Sequence, residues 1–216
     1  MKKQALITGA TSGIGRATAL RLAAEGYDIT ATGRRAERLE TLRREIEAAG
    51  GRCTALVFDV RSEAEVRKFL SPLERVDLLI NNAGLAAGLE HIDQGDTADW
   101  DAMIDTNVKG LLYVTRVVTP KMVAAGGGHV FNIGSIAGTE AYENGAVYCA
   151  SKHAVHAISQ SMRADRVYDG VTPLTGDDIA EAIAWAAQLP AHMNVNEMVL
   201  MPSQQAGAYY TYRKNR

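Results

Sequence analysis

The sequence predicts an α/β fold: a doubly wound parallel sheet with helices on both faces. Short apolar runs alternate with longer amphipathic stretches, and the apolar runs lack the polar alternation of strands that face solvent on one side. Both observations are typical of a parallel sheet that is buried on both faces. No internal repeat or low-complexity linker divides the sequence, so residues 1–216 are expected to form a single domain.

The individual elements follow from the spacing of the apolar residues. The predicted strands are Ala5–Thr8, Tyr27–Thr32, Cys53–Phe58, Val76–Asn81, Gly128–Ile133 and Glu197–Met201. The predicted helices are Gly13–Glu25, Arg35–Ala49, Ser62–Leu70, Trp100–Ala125, Tyr148–Arg163 and Thr175–Gln188.

The strand-helix pattern breaks after Asp165, where a further buried strand should precede the helix at Thr175. Residues 166–175 contain few apolar side chains and include Pro173, so they cannot supply a central strand. We therefore expect a strand-containing segment to be missing between Asp165 and Arg166. It is either a disordered segment that is not resolved, which we favour, or a true deletion.

Composition and charge exclude several classes of protein. Apolar residues make up 47% of the chain and charged residues 22%, which indicates a globular protein. The net charge of −2 argues against nucleic acid as a partner, because phosphate binding needs a concentrated cationic face. The N-terminus lacks the apolar run of a signal peptide and no segment is long enough to span a bilayer, so we expect no membrane partner and a cytoplasmic location. Two cysteines, and histidines without metal-ligand spacing, predict no metal site.

A glycine-rich loop directly follows the first predicted strand and opens the first helix. Glycines allow a tight turn and a close approach of the backbone to a pyrophosphate, and the N-terminus of the helix presents free N–H groups to the phosphates. A glycine-rich turn without a ligand is the alternative, but the position between strand and helix favours a Rossmann-like dinucleotide site. The predicted binding residues of the loop are Gly9, Thr11, Ser12, Gly13, Ile14 and Gly15.

Two arginines at the end of the second strand predict which dinucleotide is bound. An NAD site usually has a carboxylate there, which holds the ribose 2′-hydroxyl. This chain has Arg34 and Arg35 instead, and a guanidinium can make a bidentate contact with a 2′-phosphate. The sequence therefore predicts NADP rather than NAD, unless the two arginines only begin a solvated helix.

Further contacts to the cofactor are expected at the ends of the third and fourth strands. Asp59, followed by Val60, is placed to accept a hydrogen bond from the adenine amino group, although it can equally be a strand-end cap. The small and amide residues Asn82, Ala83 and Gly84 are suited to a wall against the cofactor, or to an ordinary turn.

Tyr148 and Lys152 lie one turn apart at the start of a predicted helix, so their side chains share one face. A phenol ordinarily has a pKa of about 10, and a nearby ammonium stabilises its phenolate form. Such a phenol can donate a proton to a carbonyl oxygen as hydride arrives, and recover it in the reverse direction. We therefore predict Tyr148 as general acid and base, although this spacing is also common on surface helices.

Two polar residues on other elements complete the predicted constellation. Ser135 follows the fifth strand and faces the same crevice, where its hydroxyl can bind the reacting oxygen of the substrate. Asn107 falls in the middle of a predicted helix, where its amide can kink the helix or hold a water that links Lys152 to solvent. Each residue alone has an ordinary explanation, and the prediction depends on their joint occurrence.

Taken together, these residues resemble the short-chain dehydrogenases/reductases from residue 4 to Asp165, and again from Arg166 to about Met201. The resemblance implies that Ser135, Tyr148, Lys152 and Asn107 form a catalytic tetrad. It also implies that the lysine binds the nicotinamide ribose and that the enzyme is a homotetramer built through the helices Trp100–Ala125 and Tyr148–Arg163. The residues on which it rests are the glycine loop, Asp59, Asn82-Ala83-Gly84, Asn107, Ser135, Tyr148 and Lys152.

A narrower similarity is to the NADP-dependent 3-hydroxy acid dehydrogenases, which oxidise serine or allo-threonine and reduce malonic semialdehyde. It rests on residues 31–35, 103–107 and 189–196. The chain departs from this pattern by lacking the sixth strand and the lid that covers the substrate. The expected substrate is therefore a small hydroxy acid or its oxo form, with sugars or general ketones, or a non-catalytic NADPH-sensing role, as alternatives.

Overall fold

The structure is a computed structural model that describes residues 2–88, 90–164 and 174–190, with residues 192, 193, 195, 198, 200, 205–207 and 210–211. The chain divides into two compact units, Met1–Ala157 and Ile158–Arg216. Whether they form the predicted single domain stays a prediction.

The first unit contains a five-stranded parallel sheet, which confirms the predicted fold class. Its strands are β1 (Gln4–Ile7), β2 (Asp28–Gly33), β3 (Cys53–Val57), β4 (Leu78–Asn81) and β5 (His129–Asn132). Their order is β3-β2-β1-β4-β5, with all pairs parallel. The chain therefore builds the sheet outwards from β1 to one side and then crosses to the other, and the carboxyl ends of β1 and β4 lie at the point of reversal. Ligands bind at this point in open α/β sheets.

Helices connect the strands at nearly the predicted positions. They are α1 (Gly13–Ala24), α2 (Ala36–Ala48), α3 (Glu63–Leu70), α4 (Thr97–Ile104), α5 (Leu111–Ala124) and α6 (Ala146–Ala164). The predicted helix over Trp100–Ala125 is not continuous α-helix, because a π-helical segment, Asp105–Gly110, separates α4 from α5 and contains Asn107, the residue expected to kink it. A side chain at Gly110 would lie 2.7 Å from Val60, so close packing against the end of β3 accompanies this wider turn.

Two cores cover the two faces of the sheet, as a doubly wound fold requires. The alternation within β1 illustrates this: Ala5 and Ile7 contribute to one core and Leu6 to the other. The first core includes Leu39 and Leu42 of α2, while the second includes Val114 of α5, all fully buried. Nearly continuous apolar strands are therefore explained by helices on both sides.

The second unit contains α7 (Gly176–Ala187) and a short antiparallel pair, β6 (Gln205–Gly207) with β7 (Tyr210–Thr211). Thr175 caps α7 through a capping box with Asp178. The predicted strand Glu197–Met201 and the junction between Asp165 and Arg166 lie largely or wholly outside the described residues. Among the helices that the structure describes, none has the length and apolarity needed to cross a membrane.

Candidate active site

A cavity of about 550 Å³ opens where β1 and β4 end. This volume falls within the range of about 300–1,000 Å³ that is typical of small-molecule sites. Most of the residues predicted from the sequence to bind a cofactor line it. They are Gly9, Thr11, Ser12, Ile14, Arg34, Arg35, Asp59, Val60, Asn82, Ala83, Gly84, Tyr148 and Lys152.

The glycine loop is held from the end of β4 by the side chain of Asn82. Its Nδ2 donates to the carbonyl oxygens of Thr8 and Gly9, at 2.9 and 3.1 Å. A Cβ at Gly15 would lie 2.6 Å from the carbonyl oxygen of Gly9, which only glycine avoids. Gly15 therefore lets the loop pack closely, although neither it nor Gly13 lines the cavity.

The hydroxyl of Thr8 makes the second connection between the two strand ends. Its Oγ1 accepts the backbone N–H groups of Asn82 and Ala83, each at 3.0 Å, and the residue is almost fully buried. Sequence reasoning assigned no role to this threonine, because a hydroxyl at a strand end carries no distinctive local signal.

Cationic groups and free N–H donors meet beside the loop. Ser12 precedes α1 without capping it through its side chain, so the first N–H groups of the helix remain open to an anion. Arg35 donates to Thr11 Oγ1 and to Ser12 Oγ, at 3.1 and 2.8 Å, and so lies over the loop. Arg34 is exposed, and its one partner within the described part of the chain is Asp59, with which it forms a long ion pair at 3.7 Å. This arrangement fits a phosphorylated ligand.

Asp59 is bound mainly by a residue that the sequence reading missed. Arg61 donates to Asp59 Oδ2 from Nε and Nη2, at 2.9 and 2.7 Å. Partial burial raises the pKa of the Asp59 carboxyl, but the hydrogen bonds and charge of Arg61 outweigh it and hold that pKa below its usual value. The carboxylate that was predicted to bind adenine is therefore already occupied on one side.

Tyr148 and Lys152 lie on the same face of α6, as predicted. The Lys152 ammonium lies 5.9 Å from the centroid of the Tyr148 ring and donates to the carbonyl oxygen of Ile133 at 2.8 Å. The lysine is 8% exposed, and this burial lowers its pKa. A charged amine is thus fixed beside the phenol by the end of β5.

Asn107 is the most restrained of the predicted catalytic residues. Its Oδ1 accepts the N–H of Leu85 and its Nδ2 donates to the Leu85 carbonyl, each at 2.8 Å. Nδ2 also donates to Ser151 Oγ at 3.0 Å, and that hydroxyl donates to the Tyr148 carbonyl at 2.8 Å. The amide therefore braces the start of α6, and it does not line the cavity.

Ser135 also lies outside the cavity lining, although its neighbour Gly134 is part of it. Its Oγ accepts the N–H of Ala137 at 3.2 Å and caps the short 3₁₀ turn Ile136–Gly138. Capping is a common role for a serine that ends a strand, and it leaves the O–H group of this side chain available as a donor.

A second, smaller cavity of about 30 Å³, with room for about one water, also has Tyr148 in its lining. Its described lining includes the carboxylates Glu90, Asp96 and Asp99 and the aromatic residues Trp100 and Tyr142, and no cationic side chain among the described residues. Tyr148 and Ala86 line both cavities. The tyrosine thus stands where the two spaces meet.

Several lining residues were not identified from the sequence. They are Gly33, Phe58, Leu85, Ala86, Thr106, Ile133 and Gly134. Most are apolar or small and cannot be separated from core residues without the fold. Thr106 is the exception, because its position just before Asn107 was a usable signal. Its buried Oγ1 has no partner among the described residues.

Comparison with known proteins agrees with this geometry. The family model for short chain dehydrogenases matches residues 3–173. The chain belongs to this family. It is 38% identical to the NADP-dependent 3-hydroxy acid dehydrogenase YdfG of Salmonella typhi, over 94% of this chain and 96% of that protein. The predicted family and the narrower similarity are therefore confirmed.

Solved structures of similar proteins share the fold. Serine dehydrogenase from Escherichia coli is 40% identical, with a TM-score of 0.72 over 94% of this chain and 99% of that one. A closed form of serine dehydrogenase complexed with NADP+ is 35% identical, with a TM-score of 0.73 over 98% and 100% of the two chains.

The alignment with the Salmonella enzyme provides evidence on the expected gap after Asp165. The stretch aligned with the Salmonella enzyme is 241 residues long, whereas this whole chain has 216. That enzyme therefore has internal residues with no counterpart here. The chain continues directly from Asp165 to Arg166, which supports a deletion rather than the unresolved segment that the sequence analysis favoured.

Proposed function

We propose that this protein is an NADP(H)-dependent oxidoreductase that transfers hydride between the nicotinamide and a small hydroxy acid or its oxo form. The observation that carries the proposal is the position of Tyr148 at the junction of the two cavities, beside the Lys152 ammonium. A coenzyme in the large cavity and a substrate that enters by widening the small one, which as it stands has room for about one water, would meet at this proton donor.

The large cavity suits a dinucleotide with a 2′-phosphate. The loop around Gly9 leaves no room for side chains, since a Cβ at Gly9 would lie 2.9 Å from Ala83 Cα. The uncapped N-terminus of α1 offers donors to a pyrophosphate. Arg34 and Arg35 offer guanidinium groups to the additional phosphate. The names of the Salmonella enzyme and of the NADP+ complex support the same choice.

The chemistry divides between the coenzyme and the chain. When bound, the nicotinamide supplies or accepts the hydride. Tyr148 donates a proton to the carbonyl oxygen during reduction and accepts it during oxidation. Lys152 holds the ribose and favours the phenolate. Ser135 caps a turn beside the cavity lining, and its O–H binds the reacting oxygen once the side chain turns towards the cavity. Asn107 orients these groups by bracing α6 through Ser151.

A 3-hydroxy acid is the first candidate substrate, because the Salmonella enzyme is named for this class. The carboxylates that line the small cavity favour a second candidate, a sugar or another ketone, since they accept hydrogen bonds from hydroxyl groups and repel an acid. The shortened region after Asp165 favours a third, a protein that binds NADPH without turnover, because a site without a lid can retain its cofactor and lose its reaction.

A kinetic panel tests the proposal and separates the candidates. Purified protein is assayed with NADP+ and NAD+ on serine and 3-hydroxypropionate, and with NADPH and NADH on simple ketones and sugars, while NADPH binding is measured by fluorescence. We expect turnover that prefers NADP(H), with highest kcat/KM on the hydroxy acids. Highest kcat/KM on ketones or sugars supports the second candidate. Tight NADPH binding without turnover on any substrate contradicts the proposed reaction and supports the sensor.

The proposal includes a homotetramer assembled through α5 and α6, in the cytoplasm. Leu112 and Val123 of α5 are about half exposed, which supports a contact with another subunit. Cys53 and Cys149 are both free and buried, as in reducing compartments. Light scattering on the purified protein tests the assembly, and a monomer at micromolar concentration contradicts it.

A further inference from the structure

We infer that Arg61 is a positioning residue for coenzyme selectivity: it neutralises Asp59 so that the Arg34 guanidinium stays available for the 2′-phosphate. This inference rests on the proposed use of NADP(H). Arg61 is not itself part of the cavity lining, so it acts through the two residues that are.

The contacts of Asp59 show an unequal division between the two arginines. Arg61 donates twice to Oδ2, at 2.9 and 2.7 Å, whereas the nearest nitrogen of Arg34 lies 3.7 Å from the same oxygen. That distance is an ion pair but not a hydrogen bond. Among the described residues, no acceptor takes a hydrogen bond from Arg34. Its donors therefore remain unused at the edge of the cavity.

The electrostatic consequence follows from the position of this carboxylate. A 2′-phosphate beside Arg34 would stand close to a negative charge, which opposes its binding. The charge of Arg61 is held against that carboxylate and cancels most of this repulsion. Without Arg61, the Asp59 carboxylate becomes a competitor of the 2′-phosphate for Arg34. NADH has an uncharged 2′-hydroxyl in this position, so the freed carboxylate does not repel it.

The local backbone does not depend on the Arg61 side chain. The backbone N–H of Arg61 donates to Asp59 Oδ1 at 3.0 Å, and the N–H of Ser62 donates to the Asp59 carbonyl at 3.1 Å. Glu65 accepts the N–H of Asp59 at 2.9 Å. These bonds keep the turn after β3 when the guanidinium is removed, so Arg61→Gln is expected to fold normally.

A double-mutant cycle tests the inference through binding rather than turnover. Dissociation constants for NADPH and NADH are measured by fluorescence for the unaltered protein, Arg61→Gln, Asp59→Asn and the double variant. The matched control is Arg67→Gln, since Arg67 pairs with Glu63 on the exposed face of α3 and lies outside the cavity. Circular dichroism confirms the fold of each variant.

The decisive quantity is the ratio of the dissociation constant for NADH to that for NADPH. We expect Arg61→Gln to reduce the preference for NADPH about fivefold, the size of a partly screened ion pair. In the Asp59→Asn background the same substitution should leave the ratio unchanged within about twofold, because no carboxylate remains to be neutralised. Arg67→Gln should leave both constants unchanged.

Three outcomes overturn the inference alone, and a fourth overturns the proposed function with it. A loss of affinity for both coenzymes to the same extent indicates a merely structural role for Arg61. If Arg61→Gln changes the NADPH preference equally in the presence and absence of the Asp59 carboxylate, the two residues are not coupled and the inference is wrong. NADPH preference that survives Arg61→Gln unchanged refutes the inference alone, whereas failure of the unaltered protein to bind NADPH also refutes the proposed function.

Discussion

The two cavities that meet at Tyr148 are built in different ways. The large one is formed by strand ends, and hydrogen bonds between backbone and buried side chains fix its walls, as with Thr8 and Asn82. The small one is formed by the loop after β4, by α4 and by the start of α6, and charged and aromatic side chains define it. The sheet therefore determines the shape of the large cavity, and side chains on loops and helix ends determine the chemistry of the small one.

This difference teaches which changes each side tolerates. Substitutions in the large cavity alter backbone positions and should affect coenzyme binding and stability together. Substitutions in the small cavity should alter substrate preference and leave coenzyme binding and stability nearly unchanged, as expected for loops on a rigid scaffold. The following predictions, from the largest expected effect to the smallest, test this division.

Tyr148→Phe should abolish nearly all turnover, by about 10³-fold or more, because it removes the proton donor while keeping the ring. NADPH affinity should stay within about twofold, since the hydroxyl is a small part of the coenzyme site. Steady-state kinetics and fluorescence titration measure the two effects. Tyr113→Phe, outside both cavities, is the control. Undiminished turnover in Tyr148→Phe would refute the assignment of the proton donor.

Lys152→Met should lower turnover by about 10²-fold or more and hardly change stability at pH 7, because loss of the hydrogen bond to Ile133 offsets removal of the buried charge. Burial lowers the pKa of this amine in the folded protein, so its charge opposes folding at neutral pH, and the penalty disappears as the pH rises through the ordinary lysine value. The stability of the unaltered protein relative to the variant should therefore increase towards pH 10. Thermal unfolding at several pH values measures this, and a difference that falls with pH contradicts it.

Gly15→Ala should weaken NADPH binding about tenfold or more. The helix itself would gain about 1 kcal/mol from alanine, but the new Cβ would lie 2.6 Å from the Gly9 carbonyl oxygen and displace the loop. Gly26→Ala is the matched control, because that glycine has a φ of +88° and open space around it. The control should lose stability and keep its NADPH affinity. Equal affinities in both variants would show that Gly15 does not shape the site.

Thr8→Val should destabilise the fold by about 2–4 kcal/mol, because two half-buried N–H groups lose their acceptor. Thr32→Val provides the comparison. The Oγ1 of Thr32 is buried on the adjacent strand and has no partner among the described residues, so its removal should cost less than about 1 kcal/mol. Denaturant unfolding measures both, and similar losses in the two variants would contradict the connecting role of Thr8.

Asp99→Asn should change the substrate preference about threefold and leave NADPH affinity and stability unaltered. With one carboxylate fewer in the small cavity, kcat/KM should rise for hydroxy acids and fall for polyols. Asp101→Asn is the control, since Asp101 lies on the same helix outside the cavity. A changed NADPH affinity in Asp99→Asn would contradict the prediction that the small cavity affects substrate preference alone.

The sequence was sufficient to predict most of the residues that line the large cavity. Hydrophobic runs located all five strands of the sheet within two residues, because burial on both faces leaves a strong pattern. The glycine loop, Arg34 and Arg35 were recognisable because their chemistry is set by short, local spacings. The same holds for Tyr148 and Lys152, which are separated by one helical turn.

What the sequence could not predict depends on contacts between distant residues. The π-helical segment is stabilised where Asn107 bonds to Leu85. Asn107 in mid-helix indicated a kink, but no local pattern distinguishes a π-helical turn from other kinks. The role of Asn82 depends on a carbonyl 74 residues away. Arg61 becomes relevant only once the fold brings Asp59 and Arg34 together.

The wide turn between α4 and α5 has a consequence for how this protein can evolve. A π-helical turn holds about one residue more than an α-helical turn, so the residues after Asp105–Gly110 keep nearly the phase that a regular helix with one residue fewer would give them. Met103 before the turn and Val114 after it are both buried, and closing the turn by loss of one residue would leave both facing the interior. The length of this segment can therefore change by one residue with less disturbance of the core than the same change would cause in a regular helix.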